Sequence, residues 1–191
     1  MLTPSPASVS ASAVAFVPAS VLALVGGAGA VGFSGSRSVV PPCLGAVRAA
    51  VSPSALVGVG CASGVDGFVR GAVLGASVFR ASSFSASSWA GRLALRSAAV
   101  VRFVAGASAR AGGAVFVVLP SGACPAGLVP SPSSSVCFRG LGSGSWASAA
   151  LAAGLGVPLV VFAPFGVPSW GFSSLGAGWF LLPASPSFSL F

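Results

Sequence analysis

The run Ala114-Val115-Phe116-Val117-Val118-Leu119 carries no polar side chain. Successive residues of a β-strand point to opposite faces of its sheet, so a strand of this sequence is buried above and below. Burial on both faces is the mark of a parallel sheet held between helices. Val157 to Phe162 is a second continuous run of this kind, and shorter ones lie at Ala30–Phe33 and Ala55–Gly60. Ala76–Arg80 is a further strand candidate.

Helical signals separate these runs. A helical turn is expected near Val21–Val25, after a short strand near Ala13–Val17. Pro41-Pro42 suits a helix start, and Cys43 to Val51 reads as a short helix. Asp66 to Val73 reads as another, with Asp66 in or near a first turn, where a carboxylate favours the helix dipole and caps N–H groups. The longest candidate runs from Ser87 to Ala105, with Trp89, Leu93, Val100 and Val104 on one stripe and Ser97 between them. Gly112-Gly113 ends that segment. After a Pro- and Ser-rich loop from Pro120 to Arg139, Gly140 to Ser145 opens a helix from Trp146 to Leu155, closed by Gly156.

This alternation fits right-handed βαβ crossovers. The expected fold is α/β, a Rossmann-like open parallel sheet with helices on both faces and no internal repeat. The expected organisation is a frayed N-terminus over residues 1–10, a Rossmann-like domain over 11–165, and an aromatic, Pro-rich C-terminal tail over 166–191. That tail carries Trp170, Phe172, Trp179 and Phe180, and is expected to pack on the domain as an irregular lid or an edge strand. Trp170 and Trp179 read as core or lid residues rather than base-stacking platforms.

The charge-free stretch Ala11–Phe33 has the length of a membrane span. Pro18 and the Gly26-Gly27-Ala28-Gly29 cluster break it, and no basic segment precedes it, so a soluble, cytoplasmic chain is the leading expectation and a membrane protein the lesser one. High hydropathy (mean +1.01) has another source here. Lys, His, Glu, Asn, Gln, Tyr and Ile are absent, Thr occurs only at Thr3, and Asp66 is the sole acid. Tyr, His, Gln, Asn, Lys, Asp and Glu share codons with a central adenine, while Ile, Met and Thr codons begin with one. An adenine-poor coding sequence would produce this pattern by losing charges rather than by adding spanning residues. Ordinary adenine content at silent third positions of the gene would overturn that explanation.

The same inventory excludes chemistry. Without His, Lys, Glu or Tyr, and with one Asp, no paired carboxylates, Ser-His-Asp or Cys-His constellation or metal-assisted mechanism can be assembled. Cys43, Cys61, Cys124 and Cys137 have no zinc spacing and read as buried free thiols. No catalytic residue, metal site or cofactor is expected. The net charge of +8 reflects missing acids more than abundant bases, and is weak evidence for nucleic acid. Arg92, Arg96, Arg102 and Arg110, on or beside the long helix, read as a solvated face.

Holding a phosphate asks for much less: backbone N–H groups at a helix start, small side chains and one arginine. Three places offer this: Gly35-Ser36-Arg37, the loop Gly60-Cys61-Ala62-Ser63-Gly64 with Asp66, and Gly142-Ser143-Gly144-Ser145. Each lies between a strand-like run or loop and a helix, and in an open parallel sheet such loops converge at the carboxyl ends of the strands.

In their order, these three segments resemble the SLOG superfamily of Rossmann-like domains, which includes DprA and the LOG phosphoribohydrolases. Gly35-Ser36-Arg37 is similar to the G-S-R motif. Gly60 to Asp66 is similar to G-G-x-x-G-x-D, with Cys61 in place of a glycine. Gly142 to Ser145 is similar to the P-G-G-x-G-T-x-x-E loop, with Gly140 and Leu141 where that pattern has proline and glycine, and Ser145 for threonine. The resemblance covers Ala30 to Phe165 and implies binding of a nucleotide or nucleotide-derived ligand at those loops. Ser148 stands at the position of the LOG catalytic glutamate, so the resemblance implies that binding is kept without the hydrolase carboxylate. DprA-like single-stranded DNA binding is the alternative it carries. A homo-oligomer is compatible with it, and a degenerate, non-functional reading frame is the remaining alternative.

Overall fold

The computed structural model describes residues 16–108 and 111–184. The α/β expectation holds. A seven-stranded sheet has the order β3-β2-β1-β4-β5-β7-β6. Its strands are β1 (Ala30–Gly35), β2 (Leu56–Val59), β3 (Ser77–Val78), β4 (Ala114–Leu119), β5 (Leu159–Phe162), β6 (Ser173–Gly176) and β7 (Trp179–Leu182). The first five are mutually parallel; β7 runs antiparallel to β5, and β6 antiparallel to β7. The sheet is therefore mixed rather than wholly parallel. The short β6–β7 connection explains this, because only an antiparallel pair can be joined by a tight turn. The aromatic tail thus continues the sheet as a hairpin.

The helices are α1 (Ala19–Gly26), α2 (Leu44–Ala50), α3 (Val65–Ala72), α4 (Trp89–Ser108), α5 (Ser134–Cys137) and α6 (Gly144–Gly154). The last begins two residues before the expected start, because the Ser143 hydroxyl accepts the Trp146 N–H as its cap. The Pro120–Arg139 loop contains the one-turn helix α5. The expected strand near Ala13–Val17 falls largely outside the described residues, as do the N-terminal ten; Phe16 and Val17 have no regular structure. Ala19 to Phe33 forms an eight-residue helix, a turn and a strand. Among the described residues no helix is long and apolar enough to cross a membrane.

The period-2 alternation of the strands divides the core in two. Val31, Phe33, Val57, Val59, Val115, Val117 and Leu119 face α1, α2 and α3, meeting Val21, Val25, Leu44, Val47, Val65 and Val69. Ala30, Phe116, Val118, Leu159 and Val161 face α4 and α6, meeting Val101, Val104, Trp146, Ala150 and Leu151. In β4 all six residues are buried, as the apolar run demands. Register pairs Ala30 with Ala114 and Gly35 with Leu119, so β1 and β4 end side by side. From β1 the chain builds outward to β2 and β3; from β4 it builds outward the other way to β5. The strand order reverses between β1 and β4, and a crevice opens at the carboxyl ends of such a pair.

Candidate functional site

A cleft of about 670 Å³ opens at that reversal point. Ser34 and Gly35 at the end of β1 and Ser36 to Ser38 after it reach into it, Ser121 follows β4, Ala62 and Asp66 come from the β2–α3 loop and α3, and Gly140 to Ser145 lead into α6. One face of α4 forms a wall with Trp89, Ala90, Leu93, Ala94, Arg96 and Ser97, and Leu128, Cys137 and Phe138 close the side beneath the long loop.

The β1 loop is set by Ser36, whose buried hydroxyl oxygen accepts the N–H groups of Ser38 (3.2 Å) and Val39 (3.0 Å). That curl turns Arg37 outward, where it is exposed. The β2–α3 loop is tied to it. Val65 N–H donates to the Ser36 carbonyl (3.0 Å), and the Ser63 hydroxyl donates to the Arg37 carbonyl (2.7 Å). Gly64 permits the approach: its φ of +60° and ψ of −127° suit glycine alone, and a Cβ there would overlap the Ser36 carbonyl oxygen. From below, Arg70 donates to the carbonyls of Gly60 (3.1 Å) and Ala62 (2.7 Å).

Asp66 is 4% exposed. One carboxylate oxygen accepts the Ala62 N–H (3.2 Å) and meets Arg96 Nη1 at 2.5 Å. Arg96, 6% exposed, corrects the expectation of a solvated arginine face. It lies one turn beyond Leu93 and one turn before Val100, on the packed side of α4, and an apolar surround is tolerable for it because the chain's single carboxylate stands opposite. Gly60 makes room for the pair, since a Cβ there would run into both the Arg96 guanidinium and the Asp66 carboxylate. Among the described residues Arg96 Nε has no hydrogen-bond partner. Of the other three, Arg92 is half-buried, Arg102 is exposed and donates to Ser134 Oγ (3.0 Å), and Arg110 lies outside the described residues.

Of the expected site residues, Gly35, Ser36, Arg37, Ala62, Asp66, Gly142, Ser143, Gly144 and Ser145 surround one cleft. Gly60, Cys61, Ser63 and Gly64 do not line it. Gly60, Ser63 and Gly64 shape the loop from behind as described above, and Cys61 Sγ accepts the Ala81 N–H (3.3 Å). Arg96, Trp89 and Leu93 line the cleft without having been singled out for it; the stripe expected through Trp89, Leu93, Ser97, Val100 and Val104 held the signal for the last two, while Arg96, read as solvated, sits beside it. Ser148 is buried on α6 and donates to the Gly144 carbonyl (2.9 Å). It presents no acid.

Cys137 lines the cleft, but burial pushes its thiol up, and its S–H donates to the Ser131 carbonyl (3.4 Å). A thiol held neutral is a poor nucleophile. Burial likewise pushes Cys43 up to about 11. All four cysteines are free; Cys43 and Cys137 are buried, while Cys61 and Cys124 are half-buried. Among the described residues no three His, Cys, Asp or Glu side chains stand together as a metal site. The cleft is thus lined by glycines, serines and one outward arginine beside the Asp66–Arg96 pair. No family model matches the chain, and neither a curated protein nor a solved structure is significantly similar to it.

Proposed function

We propose that the protein binds a nucleotide or nucleotide-derived ligand in this cleft without transforming it. The observation that carries the reading is that the β1 loop, the β2–α3 segment through Ala62 and Asp66, and the Gly140–Ser145 segment line one cleft at the strand-order reversal. Small side chains let a phosphate approach main-chain N–H groups, the start of α6 adds the positive end of a helix dipole, and Arg37 supplies a full charge. The Asp66–Arg96 pair balances its own charge and holds the floor, leaving Arg37 as the cleft-lining cation without an ion partner among the described residues. SLOG membership and a cytoplasmic location belong to the same reading, and rest on the motifs and their placement.

The single-stranded DNA alternative needs several arginines offered to a backbone. Five of the nine are occupied within the protein: Arg48 with the Ala72 carbonyl, Arg70 with Gly60 and Ala62, Arg96 with Asp66, Arg102 with Ser134 and Arg139 with Gly127. That favours a small ligand over a polymer.

Calorimetric titration with the four common ribonucleoside 5′-monophosphates tests the reading. At least one should bind the wild type, and Arg37→Ala should weaken it about tenfold or more while the melting temperature stays unchanged, because a charge-assisted hydrogen bond is lost from an exposed residue. Absence of binding by all four, or unchanged binding to Arg37→Ala, would overturn it. Tight binding of an oligonucleotide with a steep salt dependence would favour the DNA alternative.

A further inference from the structure

The protein contains four tryptophans, and the fold accounts for three of them. Trp146 is fully buried, donates its indole N–H to the Gly122 carbonyl (2.8 Å) and packs edge-on against Trp170. Trp170 donates to the Leu128 carbonyl (3.2 Å) and stacks on Phe172, and Trp179 is fully buried against Phe162. Among the described residues Trp89 has no aromatic neighbour of this kind and its indole N–H no hydrogen-bond partner, and it is 60% exposed. It nevertheless stands at the cleft, as the first residue of α4.

Its position along α4 matters. Trp89, Leu93 and Arg96 fall on one face of the helix, and all three line the cleft. Arg96 is buried at the floor, so Trp89 stands at the rim, about 10 Å above it by the helical rise. Its neighbours on this wall include Ala90 and, one turn on, Leu93, and its ring is largely exposed. Ser36, Arg37 and the Gly142–Ser145 segment, all polar or small, line the same cleft. It therefore combines an exposed aromatic ring with small and polar groups.

We propose that Trp89 is a specificity-determining residue, whose indole stacks on the planar heterocycle of a ligand anchored through its phosphate at Arg37 and the glycine loops. This rests on the phosphate-binding reading above and adds the part of the ligand that reading leaves open. Stacking recognises a π-face rather than a hydrogen-bonding edge, so preference among the bases should be modest.

The test uses two probes, adenosine 5′-monophosphate and ribose 5-phosphate, which differ by the base alone. Wild type, Trp89→Ala, Trp89→Phe and Arg37→Ala are titrated with each. Trp89→Ala should lose about tenfold or more for adenosine 5′-monophosphate and be unchanged for ribose 5-phosphate, and Trp89→Phe should keep most of the affinity. Arg37→Ala should weaken both probes. Because Trp89 is largely exposed, melting temperatures should not move. Three results would overturn the inference: equal binding of adenosine 5′-monophosphate by Trp89→Ala and wild type, equal loss of both probes, or a failure of Trp89→Phe to restore affinity. If Arg37→Ala still weakened ribose 5-phosphate in those cases, phosphate binding would stand and Trp89 alone would fall. If neither probe bound the wild type, both would fall.

Discussion

The two sides of the cleft are built from the same glycine and serine, yet they are different materials. On the β1–β2 side the loops are interlocked: Gly64 lies against the Ser36 carbonyl, Ser63 is bonded to Arg37, Arg70 threads the loop carbonyls, and Asp66 meets Arg96 at the base. On the α6 side, a Cβ built on Gly140, Gly142 or Gly144 would meet nothing within 4 Å. One side has glycine because other atoms fill the space of a side chain; on the other, Gly140 and Gly142 have positive φ and border open space.

Substitutions can break this contrast, in decreasing order of effect. Asp66→Ala should cost about 3–5 kcal/mol in denaturant unfolding, because Arg96 would stay buried without its counter-ion. A loss below about 1 kcal/mol would mean that the guanidinium escapes to water and the floor is not rigid. Gly64→Ala should cost about 2–3 kcal/mol, from a disfavoured backbone conformation and the overlap with Ser36. On the opposite side Gly144→Ala should change stability by less than 1 kcal/mol, in the stabilising direction, since it adds a better helix former in open space. Equal losses from Gly64→Ala and Gly144→Ala would erase the distinction.

The parallel strands were legible because their chemistry is extreme: six consecutive apolar residues in β4 leave no other economical placement. The loops that line the cleft were legible by position, between strand-like runs and helices. What escaped was partnership. A glycine that faces a ligand and one that faces a carbonyl, as Gly64 does, have the same sequence signature. Arg96 was passed over because an arginine on a helix is ordinarily solvated, although its spacing with Leu93 and Val100 puts it on the inward stripe. Its burial depends on an aspartate thirty residues earlier, a relation that only the folded chain displays. The β6–β7 hairpin was hard to read for another reason. Its outer strand is mostly exposed, with serines and glycine where a strand usually advertises itself by β-branched residues.

That hairpin and the opposite margin of the sheet bear on association between molecules. An unpaired strand edge is a template on which another chain can add, and proteins commonly guard it with lysine or inward-pointing charge. This chain has no lysine and one acid, so arginine is the main charge it can place there. Among the described residues one margin is β3, only two residues long, and the other is β6, where the ladder loses register between Ser174 and Gly176. Brevity and irregularity are the features these margins share with guarded edges.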